Sequence, residues 1–96
     1  MIRTKLIYLL GKNEKELLAY DEYDSEGSGR WFTDNPIMAN EYYCQGACED
    51  AEKLGLDVFL WEITFDNSEK KIIKEEIWLQ FTNEEAVKWK NERFKV

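Results

Sequence analysis

A chain of 96 residues and 11.5 kDa forms at most one domain, and its 44% hydrophobic residues argue against a wholly disordered protein. Its net charge of −7 argues against direct binding to nucleic acid or to an anionic membrane surface. The sequence contains no histidine, so histidine-based catalysis and histidine metal ligands are excluded. The first residues lack the pattern of a secretion signal, so we expect a cytoplasmic protein.

The first third of the sequence predicts a buried strand, a short helix and a polar loop. Thr4 to Leu10 is β-branched or aliphatic almost without interruption, which is typical of a central strand, here ended by Gly11. Glu14 to Tyr20 fits a short helix or an extended segment, and we favour the helix. Asp21 to Arg30 is acidic and contains two glycines, which predicts a solvated loop.

A short strand and two helices are predicted next. Trp31 to Thr33 predicts the strand. A polar N-cap followed by a proline at the first helical position predicts a helix from about Pro36 to Gln45. Ala47 to Leu54 predicts a second helix, which ends at Gly55 in the left-handed conformation.

The remaining sequence predicts long strands and a final helix. Asp57 to Asp66 alternates strongly and predicts the clearest strand of the chain. Lys71 to Phe81 predicts one or two strands. If the pairing is continuous, one face carries Ile73, Glu75, Ile77, Leu79 and Phe81. A capping box from Thr82 to Glu85 starts a helix through about Phe94. The three tryptophans of these elements are expected in the core: Trp61, Trp78 and Trp89.

This order of elements predicts an α+β fold. We expect a single small domain with a mixed or antiparallel sheet of about four strands and two to four helices. Two cysteines, Cys44 and Cys48, lie four residues apart in a segment that is predicted to be helical. On a helix the distance between two such side chains is too long for an unstrained disulfide. They are expected as reduced thiols, and two ligands alone do not complete a zinc site, so we expect no metal ion.

The acidic residues are concentrated in one part of the sequence. Residues 14–66 contain 14 acidic and 3 basic residues, a net charge of −11, and Tyr and Trp side chains alternate with the carboxylates. Carboxylates attract Arg- and Lys-rich surfaces, while Tyr and Trp supply much of the contact energy at protein interfaces. We therefore expect a basic protein surface as partner, contacted by Tyr20, Asp21, Glu22, Tyr23, Asp24, Glu26, Trp31, Asp34, Glu41, Tyr42 and Tyr43. The alternative is that the carboxylates only keep a small protein soluble.

The first functional hypothesis is a non-catalytic acidic protein that binds and blocks a basic site on a partner protein. Carboxylates spaced along its surface would occupy phosphate positions in a nucleic-acid-binding channel. A phage-encoded inhibitor of a host defence system, such as an anti-CRISPR protein, belongs to this class. This hypothesis involves no cofactor.

The stretch Gly27-Ser28-Gly29-Arg30-Trp31-Phe32-Thr33-Asp34, followed by Ala39 and Tyr42, resembles a segment of ADP-ribosyltransferases of the poly-ADP-ribose-polymerase type. The resemblance implies that the glycines shape a loop before a strand that lines a nicotinamide pocket. It implies that Tyr42 stacks on the nicotinamide ring, with Trp31 at the preceding aromatic position. It also implies that a late-strand glutamate stabilises the transition state; Glu76 matches it, with Glu75 as the runner-up.

The sequence departs from that family at two anchoring positions. The first strand, Ile7 to Leu10, has no Arg or His to hold NAD, and Ala39 replaces the small hydroxyl residue that anchors the nicotinamide amide. We interpret the segment as a degenerate version of the fold without its catalysis. The alternative function is a minimal NAD-dependent ADP-ribosyltransferase or an NAD-pocket protein.

Overall fold

One antiparallel sheet joins the five strands of this computed structural model, which describes residues 1–20, 29–69 and 71–93. The order across the sheet is β3-β2-β1-β4-β5. The elements in chain order are β1 (Ile2–Asn13), β2 (Glu16–Ala19), β3 (Trp31–Thr33), α1 (Cys44–Leu54), β4 (Asp57–Asp66), β5 (Lys71–Phe81) and α2 (Asn83–Arg93). The predicted α+β class is confirmed, and the antiparallel sheet has one strand more than we expected.

β4 lies between β1 and β5 and is buried on both faces, as expected for a central strand. Phe59 and Ile63 are fully buried on one face, and Val58 is 1% exposed on the other. Their neighbours form two separate hydrophobic clusters. The sheet therefore has to be covered on both sides.

The two helices cover one face of the sheet. Small residues of α1, Ala47, Cys48 and Ala51, pack against Leu10 and Val58 and allow a close approach of the helix to the strands. α2 adds Ala86 to the same cluster, and the rings of Phe81 and Trp89 stack with their centroids 6.2 Å apart.

The segment between β3 and α1 contributes cover to the opposite face, where the predicted helix from Pro36 to Gln45 is wrong. Residues 36–38 form a turn, in which the side chain of Asn35 accepts a hydrogen bond from the backbone N–H of Ile37 at 3.0 Å. Ile37 and Ala39 then pack against the cluster around Phe59. The helix does not form, although the local sequence favours it, because backbone N–H groups of this segment donate hydrogen bonds to carbonyl groups of the strands.

The predicted short helix from Glu14 to Tyr20 is also wrong, because β2 occupies this segment. Leu17 and Leu18 are buried in different clusters, one on each face of the sheet, and β2 pairs with β3. An amphipathic helix of this length would not bury both faces. β1 also continues past Gly11 to Asn13, with a change of register at this point. A Cβ on Gly11 would lie 2.6 Å from the backbone oxygen of Glu16, so the close approach of β2 requires glycine here.

β5 carries two register shifts, so its pairing is not continuous and the condition for a single shared face is not met. Trp61 pairs with Ile77 whereas Leu60 pairs with Leu79, so Trp78 is an extra residue in β5. As a result Ile77 and Leu79 lie on opposite faces. Trp78 is 55% exposed, and its predicted place in the core is wrong. Trp61, by contrast, is 4% exposed as expected.

The end of α1 and the start of α2 match their sequence signals, whereas α1 begins at Cys44, three residues before the predicted start at Ala47. Gly55 caps α1 with φ of 67°, the left-handed conformation that was predicted. The capping box also forms: the N–H of Thr82 donates to the Glu85 carboxylate at 3.1 Å, and the N–H of Glu85 donates to the Thr82 hydroxyl at 3.3 Å. These backbone and side-chain bonds with Thr82 lower the pKa of Glu85.

Asn83 connects the two helices in a way that the sequence did not reveal. Its side-chain amide donates to the carbonyl oxygens of Ala51 at 2.6 Å and of Leu56 at 3.0 Å. Its backbone N–H donates to the Asp57 carboxylate at 2.9 Å. One residue thus holds the end of α1, the start of β4 and the start of α2 together.

We expect Asn83→Ala to lower the free energy of unfolding by about 1–3 kcal/mol, because it removes two side-chain hydrogen bonds to partly buried carbonyl oxygens. Asn83→Asp should lose as much, since it keeps the shape of the side chain but not its donors. Chemical denaturation measures both variants. Asn91→Ala, on an exposed position of α2, is the control and should change stability by less than about 0.5 kcal/mol. Equal stability of all three variants would contradict the assigned role of Asn83.

Candidate protein-binding face and carboxylate cleft

Tyr20 and Tyr42 meet beside the helix-covered face of the sheet. Their hydroxyl oxygens lie 2.8 Å apart, and their rings are tilted with centroids separated by 6.5 Å. The backbone holds both residues: the N–H of Tyr42 donates to the carbonyl of Tyr8 at 2.9 Å, and the N–H of Tyr20 donates to the Asn40 side chain at 2.7 Å. Burial raises the pKa of Tyr42, and hydrogen bonds to Tyr20 and Asp50 raise it further.

Tyr43 follows directly and is 92% exposed. It is the N-cap residue of α1, with an extended backbone, and its carbonyl accepts the N–H of Ala47 at 2.8 Å. A Tyr side chain has only two rotatable bonds before its ring, so it loses little conformational entropy when a partner covers it. Tyr43 is therefore well suited to act as an anchor in a protein interface.

A shallow groove of about 420 Å³ runs between β1 and the start of α1. One wall is Leu6, Ile7 and Tyr8, and the other runs from Glu41 to Cys44. Leu6 is 50% exposed there. The Glu41 carboxylate forms an ion pair with Lys5, which partly neutralises its charge. The groove offers apolar contacts next to Tyr43.

Four of the predicted partner-binding residues form what we call the tyrosine face: Tyr20, Glu41, Tyr42 and Tyr43. They lie in or beside the groove through the contacts given above. Trp31 is 46% exposed but lies elsewhere: it pairs with Ala19, whose side chain is on the face of the sheet opposite to Leu18 and Tyr20. The predicted residues Asp21, Glu22, Tyr23, Asp24 and Glu26 lie outside the described residues.

Asp34 does not belong to this face and instead lines a cleft of about 610 Å³ on the other side of the sheet, which we call the carboxylate cleft. Four acidic residues line it: Glu14, Asp34, Glu75 and Glu76. Glu76 pairs with Glu62 on β4, so its side chain lies on the opposite face from that of Glu75. The other lining residues are Lys15, Trp61 and Ile77. The sequence could not reveal this cleft, because Glu14 and Lys15 reach it from the turn between β1 and β2, where we predicted a helix.

The residues that the resemblance implies for NAD are not brought to one cleft. Tyr42 lies beside β1, whereas Glu75 and Glu76 lie on β5, on the far side of β4. Three strand spacings separate the two positions by roughly 14 Å across the sheet. Gly27 and Ser28 lie outside the described residues, and Ala39 is buried. The resemblance stays a prediction.

The two cysteines are free thiols next to Tyr8 and α2. Burial raises the pKa of the Cys48 thiol to about 11, with a contribution from Cys44. Burial likewise raises the pKa of Tyr8 to about 12, helped by its hydrogen bond to Cys44. Cys48 is therefore protonated at neutral pH and is a poor nucleophile.

Within residues 1–20, 29–69 and 71–93, no three acidic or cysteine side chains are placed to hold a metal ion. In the same ranges no helix has the length and apolar character needed to cross a membrane. Comparison of the chain with protein-family models, curated proteins and solved structures gives no match. The functional assignment therefore depends on the residues themselves.

We expect the free energy of unfolding to fall as the pH rises from the ordinary thiol pKa of 9.0 towards about 12. The raised pKa values mean that the folded chain holds the protons of Cys48, Tyr8 and Tyr42 more tightly than the unfolded chain does. Their contribution is complete below the unfolded pKa and is lost as the pH passes the folded one. Denaturant midpoints measured across this range test the expectation. Cys48→Ala should flatten the dependence, Tyr43→Phe should not, and an unchanged midpoint in the native chain would contradict the assignment.

Proposed function

We propose that this chain is a non-catalytic binding protein whose tyrosine face covers a basic site on another protein. The observation that carries the proposal is Tyr43, which is 92% exposed at the start of α1, where it lines the groove. Tyr42, the preceding residue, lines the same groove, and its hydroxyl contact with Tyr20 holds it in place. An exposed ring with a fixed backbone and a neighbouring apolar groove is the arrangement that interface anchors require.

The charge distribution favours a basic partner. The net charge of the chain is −7, and residues 14–66 carry −11. At the tyrosine face, the carboxylate of Asp50 lies close enough to Tyr42 to raise the pKa of its hydroxyl. A negative field of this kind speeds encounter with an Arg- and Lys-rich surface, while the rings supply most of the affinity.

A basic protein surface often serves to bind nucleic acid, and an acidic protein that covers it acts as an inhibitor. The finer proposal is therefore an inhibitor of a nucleic-acid-handling defence system, of the anti-CRISPR class, encoded by a phage. A cytoplasmic setting belongs to this proposal, because the free thiols Cys44 and Cys48 suit a reducing compartment. The NAD-dependent alternative requires Tyr42 and the late-strand glutamate in one cleft, whereas Tyr42 lines the groove and Glu75 and Glu76 line the carboxylate cleft, so we do not propose it as the function.

The test is capture of partners on the immobilised chain at low salt, followed by measurement of Kd for the partner identified. Tyr43→Ala should weaken binding about 30-fold, since an interface anchor contributes about 2 kcal/mol or more. Trp78→Ala is the matched control, because Trp78 is an exposed aromatic ring on β5, away from the tyrosine face, and it should leave Kd unchanged. Nucleic acid should compete with the chain for the partner.

Two results would contradict this function. One is the absence of any basic protein that the native chain retains at low salt and releases at high salt. The other is a captured protein whose Kd is the same for the native chain and for Tyr43→Ala. Labelled NAD added to the same samples checks the alternative, because transfer of the label to protein would support an enzyme.

A further inference from the structure

The carboxylate cleft combines apolar side chains on the sheet with charged side chains around them. By register Ile63 pairs with Glu75 and Trp61 pairs with Ile77, so these four side chains lie on the same face of the sheet. The Glu75 carboxylate is exposed beside the apolar side chain of Ile77. Asp34 and Glu14 approach from the other side of the cleft. Three carboxylates, Glu14, Asp34 and Glu75, and the ammonium of Lys15 give the cleft a net charge of −2, because the side chain of Glu76 lies on the opposite face of the sheet.

Trp61 supplies a second and independent feature of this cleft. The residue is 4% exposed and lines the cleft, and its indole N–H is buried without a hydrogen-bond acceptor. Among the described residues, the indole N–H of Trp61 is the sole buried side-chain donor or acceptor without a hydrogen-bond partner. A buried donor without an acceptor is unfavourable, so a ligand that brings an acceptor to it gains affinity.

We infer that the carboxylate cleft binds an arginine residue of a peptide or protein. The guanidinium group offers five donors in a planar fork that matches carboxylates such as Glu75 and Asp34. The aliphatic stem fits against Ile77, and a main-chain carbonyl of the ligand accepts the N–H of Trp61. No residue of this cleft belongs to the tyrosine face, so the inference does not depend on the function proposed above.

The lining residues favour this ligand over other cations. No three carboxylates among the described residues converge as a metal site requires. A polyamine would satisfy the carboxylates but brings no acceptor for the indole N–H. An arginine residue carries both the cation and the carbonyl. The ammonium of Lys15 is placed in the same lining to donate to a second carbonyl of the peptide.

The ligand needs some movement at the rim, because the indole nitrogen of Trp61 is covered when the cleft is empty. Glu14, Lys15 and Glu75 are all exposed, so their side chains can turn without loss of core packing. The backbone strands beneath them are held by the sheet. Binding therefore rearranges side chains and leaves the fold unchanged.

The experiment follows the indole N–H signal of Trp61 by ¹H–¹⁵N NMR, assigned by its loss in Trp61→Phe. The probe is Nα-acetyl-L-arginine N-methylamide, compared with n-propylguanidine, which lacks carbonyls, and Nα-acetyl-L-norleucine N-methylamide, which lacks charge. We expect a saturable downfield shift with the arginine probe, with Kd on the order of 1 mM for a ligand of this size. The other two probes should bind at least about tenfold more weakly.

Variants separate the cleft from the tyrosine face. Glu75→Gln should weaken the arginine probe about tenfold, because a charge-assisted hydrogen bond is lost from an exposed position where folding is not at risk. Glu92→Gln on α2 and Tyr43→Ala should leave Kd unchanged. No saturable shift at Trp61, or equal binding of n-propylguanidine, would overturn the inference. Either result would leave the proposed function of the tyrosine face intact.

Discussion

The burial of β4 on both faces is the constraint from which the rest of the fold follows. Phe59 and Ile63 are fully buried on one side of the strand, and Val58 is nearly so on the other. A strand that is apolar on both faces is stable only when both are covered. The helices cover one face, and the segment that contains Ile37 and Ala39 contributes cover to the other. That segment therefore forms a turn and pairs with the strands instead of forming a helix, although a proline and a polar cap favour a helix there.

The same constraint creates the two surfaces on which function is proposed. After the segment with Ile37 and Ala39, the chain passes along the edge of β1, where the N–H of Tyr42 donates a hydrogen bond to the carbonyl of Tyr8. This path places Tyr43 at the start of α1 with its ring in solvent. On the opposite face, the turn between β1 and β2 brings Glu14 towards Glu75. The tyrosine face and the carboxylate cleft thus lie on different sides of β4.

Sequence signals were reliable where the interactions are local or strictly periodic. The alternation of Asp57 to Asp66, the capping box at Thr82 and the left-handed Gly55 are of this kind, and all three are confirmed. The signals failed where distant pairing decides the outcome. β2 exists because β3 pairs with it, and Trp78 is exposed because a register shift inserts one residue into β5. The tyrosine face combines both: the residues were predicted, but their meeting depends on the segment between β3 and α1.

Electrostatics acts differently on the two surfaces. Within the described ranges the acidic side chains in ion pairs are Glu41, Glu52 and Asp66, and none of the cleft carboxylates is among them. At the tyrosine face the ion pair with Lys5 partly neutralises the charge of Glu41. The affinity there therefore comes chiefly from burying aromatic rings. The negative field of the whole chain acts mainly on the rate of association. In the cleft the carboxylates meet the ligand directly, beside a wall of low polarity formed by Trp61 and Ile77, where charges are screened less than at an open surface. Added salt should therefore slow association at the tyrosine face, whereas in the cleft it weakens the contact itself.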